Sequence, residues 1–481
     1  MQKIRVRFAP SPTGMMHLGN VRAAVINFLF AKQKNGDFII RIEDTDAQRM
    51  FDPEAKKILE DLAWLGLSYN EGPYIGGPYI PYYQSERTHL YQEQLTIFER
   101  QKLIYRCFCT EKELETKRLR QQEFKLPPRY DRTCMALSSA DIDSLLSENS
   151  PYIWRFKCDH SLSVTITDLA YGNITFNLSN FSDFAITRQD GSFTFIFANF
   201  VDDLLMNITH IFRGADHLSN TANQAALFHA INAPLPVYWH LPILVNLEGK
   251  KLSKRDFGFS LRDLKDAGFL PEAIENYVSI IGGSFKNEIM SLETLATTFN
   301  FDTINASSHI TYDLEKLKWV NKNWINRYEP EKLTSQCRPF LETAYDEKAK
   351  NIDIATMTHL IQIIKPELTT TSDIVHALEF YFIEPHVILA DIEACISLAA
   401  YPLIKNIITK YKNLLITDAL QFVSQIKLAA KDEGLSLKEL FWFLRLALIG
   451  KAHGPGIHEL IEMLGAPRAL SRIEKTLRLI D

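Results

Sequence analysis

An α/β sheet domain, interrupted by an insertion and followed by an all-helical half, is the architecture the sequence predicts. Three observations predict it. A strand–loop–helix–turn–strand pattern opens the chain, β-rich runs around a Pro-Pro break interrupt it, and helix-patterned sequence fills nearly everything from about Leu261 onward. At 481 residues the chain is too long for a single hydrophobic core, so about two to four domains are expected.

Ile4 to Ala9 alternates apolar and basic residues, the pattern of a short strand. Pro10-Ser11-Pro12-Thr13-Gly14 is turn-rich. The mostly apolar stretch from Leu18 to about Lys32 is too long for a strand and reads as a buried helix. Asn35-Gly36-Asp37 is a turn signal, and Phe38 to Ile42 is a second strand. Together these make the βαβ unit of a Rossmann-like parallel sheet, whose first half occupies 1–90. Within 91–194 a charged helix, Glu111 to Glu123, leads to Pro127-Pro128 and then to short β-rich runs at Tyr152–Cys158 and Leu162–Thr167. This segment reads as an α+β insertion rather than a continuation of the sheet. Apolar βα texture resumes at 195–244, with a strand expected at Leu241–Val245. Residues 245–322 carry a basic loop and the first helices. Residues 323–481 are helical throughout, divided near 388, with Asp313–Asn326 and Ala419–Gly450 as clear helical stretches.

Composition excludes several classes. Hydrophobic residues at 46% and charged residues at 23% are ordinary for a well-buried globular chain. A net charge of −5 argues against sequence-blind electrostatic RNA binding, yet allows a local basic face. Six cysteines in so long a chain do not make a disulfide scaffold. The opening MQKIRVRFAP has no apolar core of a signal peptide, and no apolar run approaches the roughly 20 residues that span a bilayer. A reduced, cytoplasmic, monomeric protein with no membrane partner is expected.

Pro10 to Asn20 lies between the first strand and the buried helix, at the carboxyl edge of a parallel sheet, where ligands bind. Free N–H groups and the helix dipole favour an anion there. His17 adds a donor that can follow charge developing on a phosphate, Gly19 admits a flat group close to the backbone, and Asn20 falls one turn on. Gly249 to Asp256 is a second, basic loop, in which Lys251 and Lys254 can converge on one triphosphate with the Ser253 hydroxyl between them. Taken singly, the first segment is more often a Pro/Gly loop with an incidental His, and the second a solvated surface.

Together the two segments resemble the paired signatures of class I aminoacyl-tRNA synthetases, in the right order and about 230 residues apart. The strings RFAPSPTG-x-x-H-x-G-N and KLSKR are similar to those of the glutamyl-tRNA synthetases. The resemblance continues through Arg41-Ile-Glu-Asp-Thr-Asp46, Leu62-Ala-Trp-Leu-Gly66, Phe200-Val-Asp-Asp203, Lys318-Trp-Val-Asn321 and Arg445 to Gly456, covering nearly the whole chain. It implies a helical stem-contact region at 245–322, an α-helical anticodon-binding half, and an inserted acceptor-end domain.

The activity so implied is ATP-dependent attachment of glutamate to tRNA-Glu, tRNA-Gln or both, with Mg2+ accompanying ATP. His17, Lys251 and Lys254 are the catalytic candidates. Pro10, Ser11, Gly14, Gly19, Asn20, Leu252, Ser253 and Arg255 join them around ATP. The resemblance places Arg7, Ala9, Ser11, Glu43, Phe195, Asn199 and Arg213 around glutamate: Glu43 facing the ammonium, Arg7 and Arg213 the side-chain carboxylate. Two positions depart from the family pattern. Asn20 stands where the first signature ends in His, so that His17 and the lysines are expected to supply the cationic field. Phe195 stands where a pocket tyrosine is common.

Cys107-Phe-Cys109 followed by Tyr130 and Cys134 resembles a zinc knuckle of the family's insertion, with Ala136 where a His ligand is usual and Tyr130 as its substitute. A structural Zn2+ and a buried remnant of such a site both fit these residues. Trp319, Trp324 and Tyr328, with Lys318, Lys322 and Arg327, form an aromatic-basic cluster in which Trp319 is read as core. A glutaminyl enzyme and a tRNA-modifying paralogue are disfavoured by the helical half. A catalytically silent, tRNA-binding paralogue is the alternative, and the His17 and lysine pair argues against it.

Overall fold

The computed structural model describes residues 3–45, 52, 54–253, 255–304 and 309–480. It divides into two compact units, Met1–Leu264 with Pro271–Leu317 and Lys265–Leu270 with Lys318–Asp481.

The first unit begins as expected. Strand β1 (Arg5–Phe8) runs into helix α1 (Leu18–Gln33), which returns to β2 (Asp37–Ile40). β1 and β2 pair in parallel, Arg5 beside Asp37 and Phe8 beside Ile40. α1 is buried along most of its length, which explains why its sequence shows no polar face. Gly36 makes the tight return: a Cβ there would stand 2.5 Å from the carbonyl oxygen of Ile4.

After α2 (Lys56–Trp64) and α3 (Thr88–Arg100), strand β3 (Ile104–Cys107) pairs antiparallel with β4 (Ile153–Phe156), separated in sequence by α4 (Glu111–Glu123) and α5 (Ser139–Ser147). The hairpin β5 (Ser163–Asp168) and β6 (Gly172–Asn177) does something the sequence reading did not expect. It joins the main sheet, whose order is β2-β1-β7-β8-β5-β6 once α6 (Phe195–Leu205), β7 (His210–Gly214), α7 (Leu218–Ala230) and β8 (Val237–Leu241) are in place. The hairpin docks through the last residue of β5. Asp168 sits beside Tyr238, and its carboxylate accepts the backbone N–H of His240. Alternation along β5, exposed then buried, looks in the sequence like any half-buried hairpin, so its partner was not legible there.

The strand expected at Leu241–Val245 is split: β8 ends at Leu241 and β9 (Ile243–Val245) pairs instead with β10 (His309–Thr311). Between them run α8 (Leu261–Asp266), α9 (Pro271–Ile280) and α10 (Leu292–Thr298), of which α9 and α10 pack on α1. That packing makes 271–317 part of the sheet unit.

The second unit is helical among its described residues. It takes over within α11 (Leu314–Arg327). Toward its end, helices Tyr401–Thr417, Ala419–Asp432, Leu437–Ile449 and Ala466–Leu477 pack on one another. Of the aromatics on α11 and just after it, Trp324 and Tyr328 are buried, whereas Trp319 is 44% exposed. Helical spacing therefore misled for Trp319, which faces outward rather than into the core.

Candidate active site

β1 is followed on one side by β2, while the chain returns on its other side as β7 and β8. The order of the sheet thus reverses between β1 and β7, and a crevice opens at the carboxyl ends of such strands. The Pro10–Asn20 segment leaves β1 at this edge. The basic loop comes back to the same place: the backbone N–H of Leu18 donates to the Phe259 carbonyl at 2.9 Å, and that of Leu261 to Met16 at 2.8 Å. His17 stacks on Phe259, their centroids 5.3 Å apart. Two segments more than two hundred residues apart in sequence therefore meet at the start of α1.

His17 caps that helix. Its Nδ1 accepts the Asn20 backbone N–H at 3.2 Å, and the Asn20 side chain accepts the His17 backbone N–H. Asn20 is thus a capping residue, a role it fills by accepting a hydrogen bond and without a charge. Gly19 is needed beside it, because a Cβ there would stand 3.1 Å from the imidazole. Burial, reinforced by Lys251, lowers the His17 pKa to about 4. This corrects the expected cationic role: His17 is a neutral imidazole near pH 7, and desolvation is the main reason. With Nδ1 accepting, its proton sits on Nε2.

Lys251 Nζ lies 2.7 Å from Asp216 Oδ2, just beyond β7, which ties the basic loop to the sheet edge. Both ends are partly exposed, so the pair orients more than it stabilises. The loop turns at Asn246 to Lys250, and Lys251 bridges back to Val245. Leu252 is buried and faces the protein. The Ser253 hydroxyl donates to Asp256 at 2.9 Å, so in this state it serves the loop itself. Arg255 is exposed, and Lys254 lies outside the described residues. On the other segment, the Pro10 carbonyl accepts the Glu43 N–H at 3.0 Å, Ser11 is exposed, and Ala9 and Gly14 are half-buried.

Four of the amino-acid candidates, Arg7, Glu43, Asn199 and Arg213, belong to one buried hydrogen-bonded circuit. Arg7 forks onto Asp203 at 3.0 and 3.3 Å, and Arg41 Nη1 reaches the same carboxylate at 2.7 Å. Arg41 also meets Glu43 at 3.3 Å. Asn199 donates to Glu43 and accepts from Gln224 at 3.1 Å. Gln224 accepts from Arg213 Nη2 at 2.7 Å. The two arginines are therefore unlike. Arg7 is matched to a buried carboxylate, whereas Arg213 is held by neutral groups and forms no ion pair among the described residues. Burial lowers its guanidinium to about 10, which still leaves it cationic near pH 7. Burial pushes Glu43 up to about 7 against the opposing pull of Arg41 and Arg7. Phe195 begins α6 with its ring 5.9 Å from that of His217.

Several residues of the circuit were not picked out from sequence. Asp203 and Arg41 lay inside quoted motif strings, but Gln224 carried no signal beyond a buried polar position on α7. In the insertion, by contrast, the expected set converges. The Sγ atoms of Cys107, Cys109 and Cys134 all lie within 4.8 Å of one another. The Tyr130 hydroxyl stands 3.3 Å from Cys107 and 3.7 Å from Cys109. No helix of the described residues is long and apolar enough to cross a membrane.

Comparison with known proteins agrees with this geometry. The family described as tRNA synthetases class I (E and Q), catalytic domain, matches residues 3–319, and an anticodon binding domain matches 332–477. A glutamate–tRNA ligase of Sulfurihydrogenibium sp. is 36% identical over 98% of this chain and 99% of its own. One from Finegoldia magna is 34% identical over 99% and 100%. The crystal structure of a glutamate tRNA ligase from Elizabethkingia meningosepticum, in complex with its amino acid, superposes with a TM-score of 0.89 at 31% identity, covering 100% of both chains. The chain belongs to the glutamate–tRNA ligase family of class I tRNA synthetases.

Proposed function

We propose that this site joins L-glutamate to the 3′ end of tRNA in two steps, with the residue roles that follow. The glutamate α-carboxylate attacks the α-phosphorus of ATP; a carboxyl–phosphate bond forms and pyrophosphate leaves. The terminal ribose hydroxyl of the tRNA, the 2′-OH in class I chemistry, then attacks the acyl carbon; an ester forms and AMP leaves. Phosphorus acquiring negative charge needs positioned donors and cations more than a nucleophilic side chain. His17 Nε2–H, at a helix N-terminus, and Lys251 supply a donor and a cation, and Lys254 follows Lys251 closely in sequence. ATP enters with Mg2+, which spreads the charge of its phosphates. The basic loop closes over the nucleotide as a lid.

The observation that carries the substrate assignment is the pairing of Glu43 with Arg213 in one circuit. A carboxylate and a cation with no ion-pair partner suit the ammonium and the side-chain carboxylate of glutamate. An arginine already forked onto Asp203 suits the carboxylate less well, which gives Arg213 that role and Arg7 a supporting one. Glutamate-dependent ATP–pyrophosphate exchange, measured with and without tRNA, tests the reading; no exchange in either condition leaves the silent tRNA-binding alternative. Charging purified tRNA-Glu and tRNA-Gln side by side decides which is the partner.

Three thiols and a phenol at one point also suit a tetrahedral Zn2+. Cys107, Cys109, Cys134 and Tyr130 would hold it, and its chemistry there is structural: it would tie the end of β3 to the turn at Thr133–Ala136.

A further inference from the structure

Behind Arg213 lies a buried acid–imidazole pair that the two-step chemistry leaves without a role. Asp168 Oδ2 is 2.5 Å from His240 Nδ1 and also accepts the His240 backbone N–H at 3.2 Å. Asp168 is 1% exposed and His240 is fully buried. A carboxylate against Nδ1 places the imidazole proton there and leaves Nε2 as an acceptor. The Thr221 hydroxyl, 2.7 Å from Nε2, is then the donor in that contact. The His217 carbonyl, at 3.2 Å, is the more distant acceptor for the hydroxyl hydrogen, and toward Arg213 Nη2, at 2.6 Å, the hydroxyl oxygen accepts because a guanidinium only donates.

We infer that Asp168, His240 and Thr221 form a directed hydrogen-bond relay that positions Arg213 for the side-chain carboxylate of glutamate. The inference rests on the assignment of that carboxylate to Arg213. Thr221 and Gln224, one turn apart on α7, take both Nη2 hydrogens and fix the guanidinium plane. The Tyr238 ring, stacked on His240, lies 5.7 Å from the Arg213 guanidinium carbon and limits its movement from another side. Nε is buried, and no described protein group bonds Nη1, so that donor is left for a ligand. The relay places a carboxylate three hydrogen bonds away from Arg213 rather than against it. The guanidinium is therefore held firmly while its charge stays available to an acidic substrate. Asp168 also docks the β5–β6 hairpin on β8, which links the inserted segment to the amino-acid pocket.

The test uses Thr221→Val, Thr221→Ser and Arg213→Lys in the full chain, assayed by aminoacylation with tRNA present. Losing an acceptor on a charged donor costs about tenfold or more in affinity. Thr221→Val is expected to raise the KM for glutamate about tenfold, with kcat and the KM for ATP within about twofold. Thr221→Ser, which keeps the hydroxyl, is expected to restore the wild-type value. An unchanged glutamate KM in Thr221→Val beside a raised one in Arg213→Lys overturns the relay and keeps Arg213 as ligand. No change in either variant overturns both. Equal losses in glutamate KM, ATP KM and melting temperature, with no rescue by Ser, show a merely structural threonine and also overturn the relay.

Discussion

The Nδ1 of His17 accepts the backbone N–H of Asn20 at 3.2 Å, so one contact caps α1 and sets the imidazole tautomer at the start of that helix. The two residues should separate on mutation. His17→Ala removes the Nε2–H donor, and pyrophosphate exchange should fall about a hundredfold, the scale of losing one transition-state donor. Asn20→Ala keeps that donor and removes one capping bond, so stability should fall by about 0.5–2 kcal/mol in denaturant unfolding with a smaller kinetic effect.

Glu43 should give glutamate binding a pH dependence. Its ionised form is the one that meets an ammonium, and burial has raised its pKa to about 7. The ionised form is lost as pH falls through that value, so the KM for glutamate should rise below about pH 7. Glu43→Gln should have a high KM that no longer changes with pH in this range. Stability moves the other way. A carboxyl whose folded pKa exceeds its unfolded one adds stability to the unliganded fold as pH falls from about 7 toward 4.5.

The unequal partners of the two arginines predict unequal costs. Arg7→Met strands the buried Asp203 carboxylate with only Arg41 to oppose it, and should destabilise by about 3–5 kcal/mol. Arg213→Met leaves neutral acceptors unpaired, at about 1–3 kcal/mol, and should raise the KM for glutamate far more than Arg7→Met does. Thermal melting beside glutamate titration checks both.

Purified protein should carry about one zinc per chain by elemental analysis. Cys109→Ser should lower that content and loosen the segment from Glu111 to Ala136 to proteolysis. Zinc-free wild-type protein with an unchanged proteolysis pattern would make the thiols a buried remnant.

Lys254→Ala is expected to lose adenylate formation far more than tRNA binding, measured by exchange and by filter retention. Lys251→Ala should lose exchange less steeply, because its ammonium is already shared with Asp216. Comparable losses of exchange and binding in Lys254→Ala would remove its phosphate role.

Much of the site was legible because local chain chemistry sets it. The Pro/Gly loop and the basic loop each announce themselves by residue type and spacing, and the zinc candidates by a thiol pattern. His17 was misjudged in charge because burial by Phe259 and the proximity of Lys251 come from a segment distant in sequence. Trp319 was misjudged because helical spacing gives a period without saying which face is covered.

By itself, then, the sequence determined the βαβ opening, the Pro/Gly loop, the basic loop and the helical second half, since hydrophobic period and turn residues act over a few residues. Only the tertiary structure decided that β5 and β6 extend the main sheet, that Arg7 is matched to Asp203 while Arg213 is not, and that Asp168 stands behind His240. Those outcomes depend on desolvation and on which distant groups meet, and neither is encoded in the spacing of neighbouring residues.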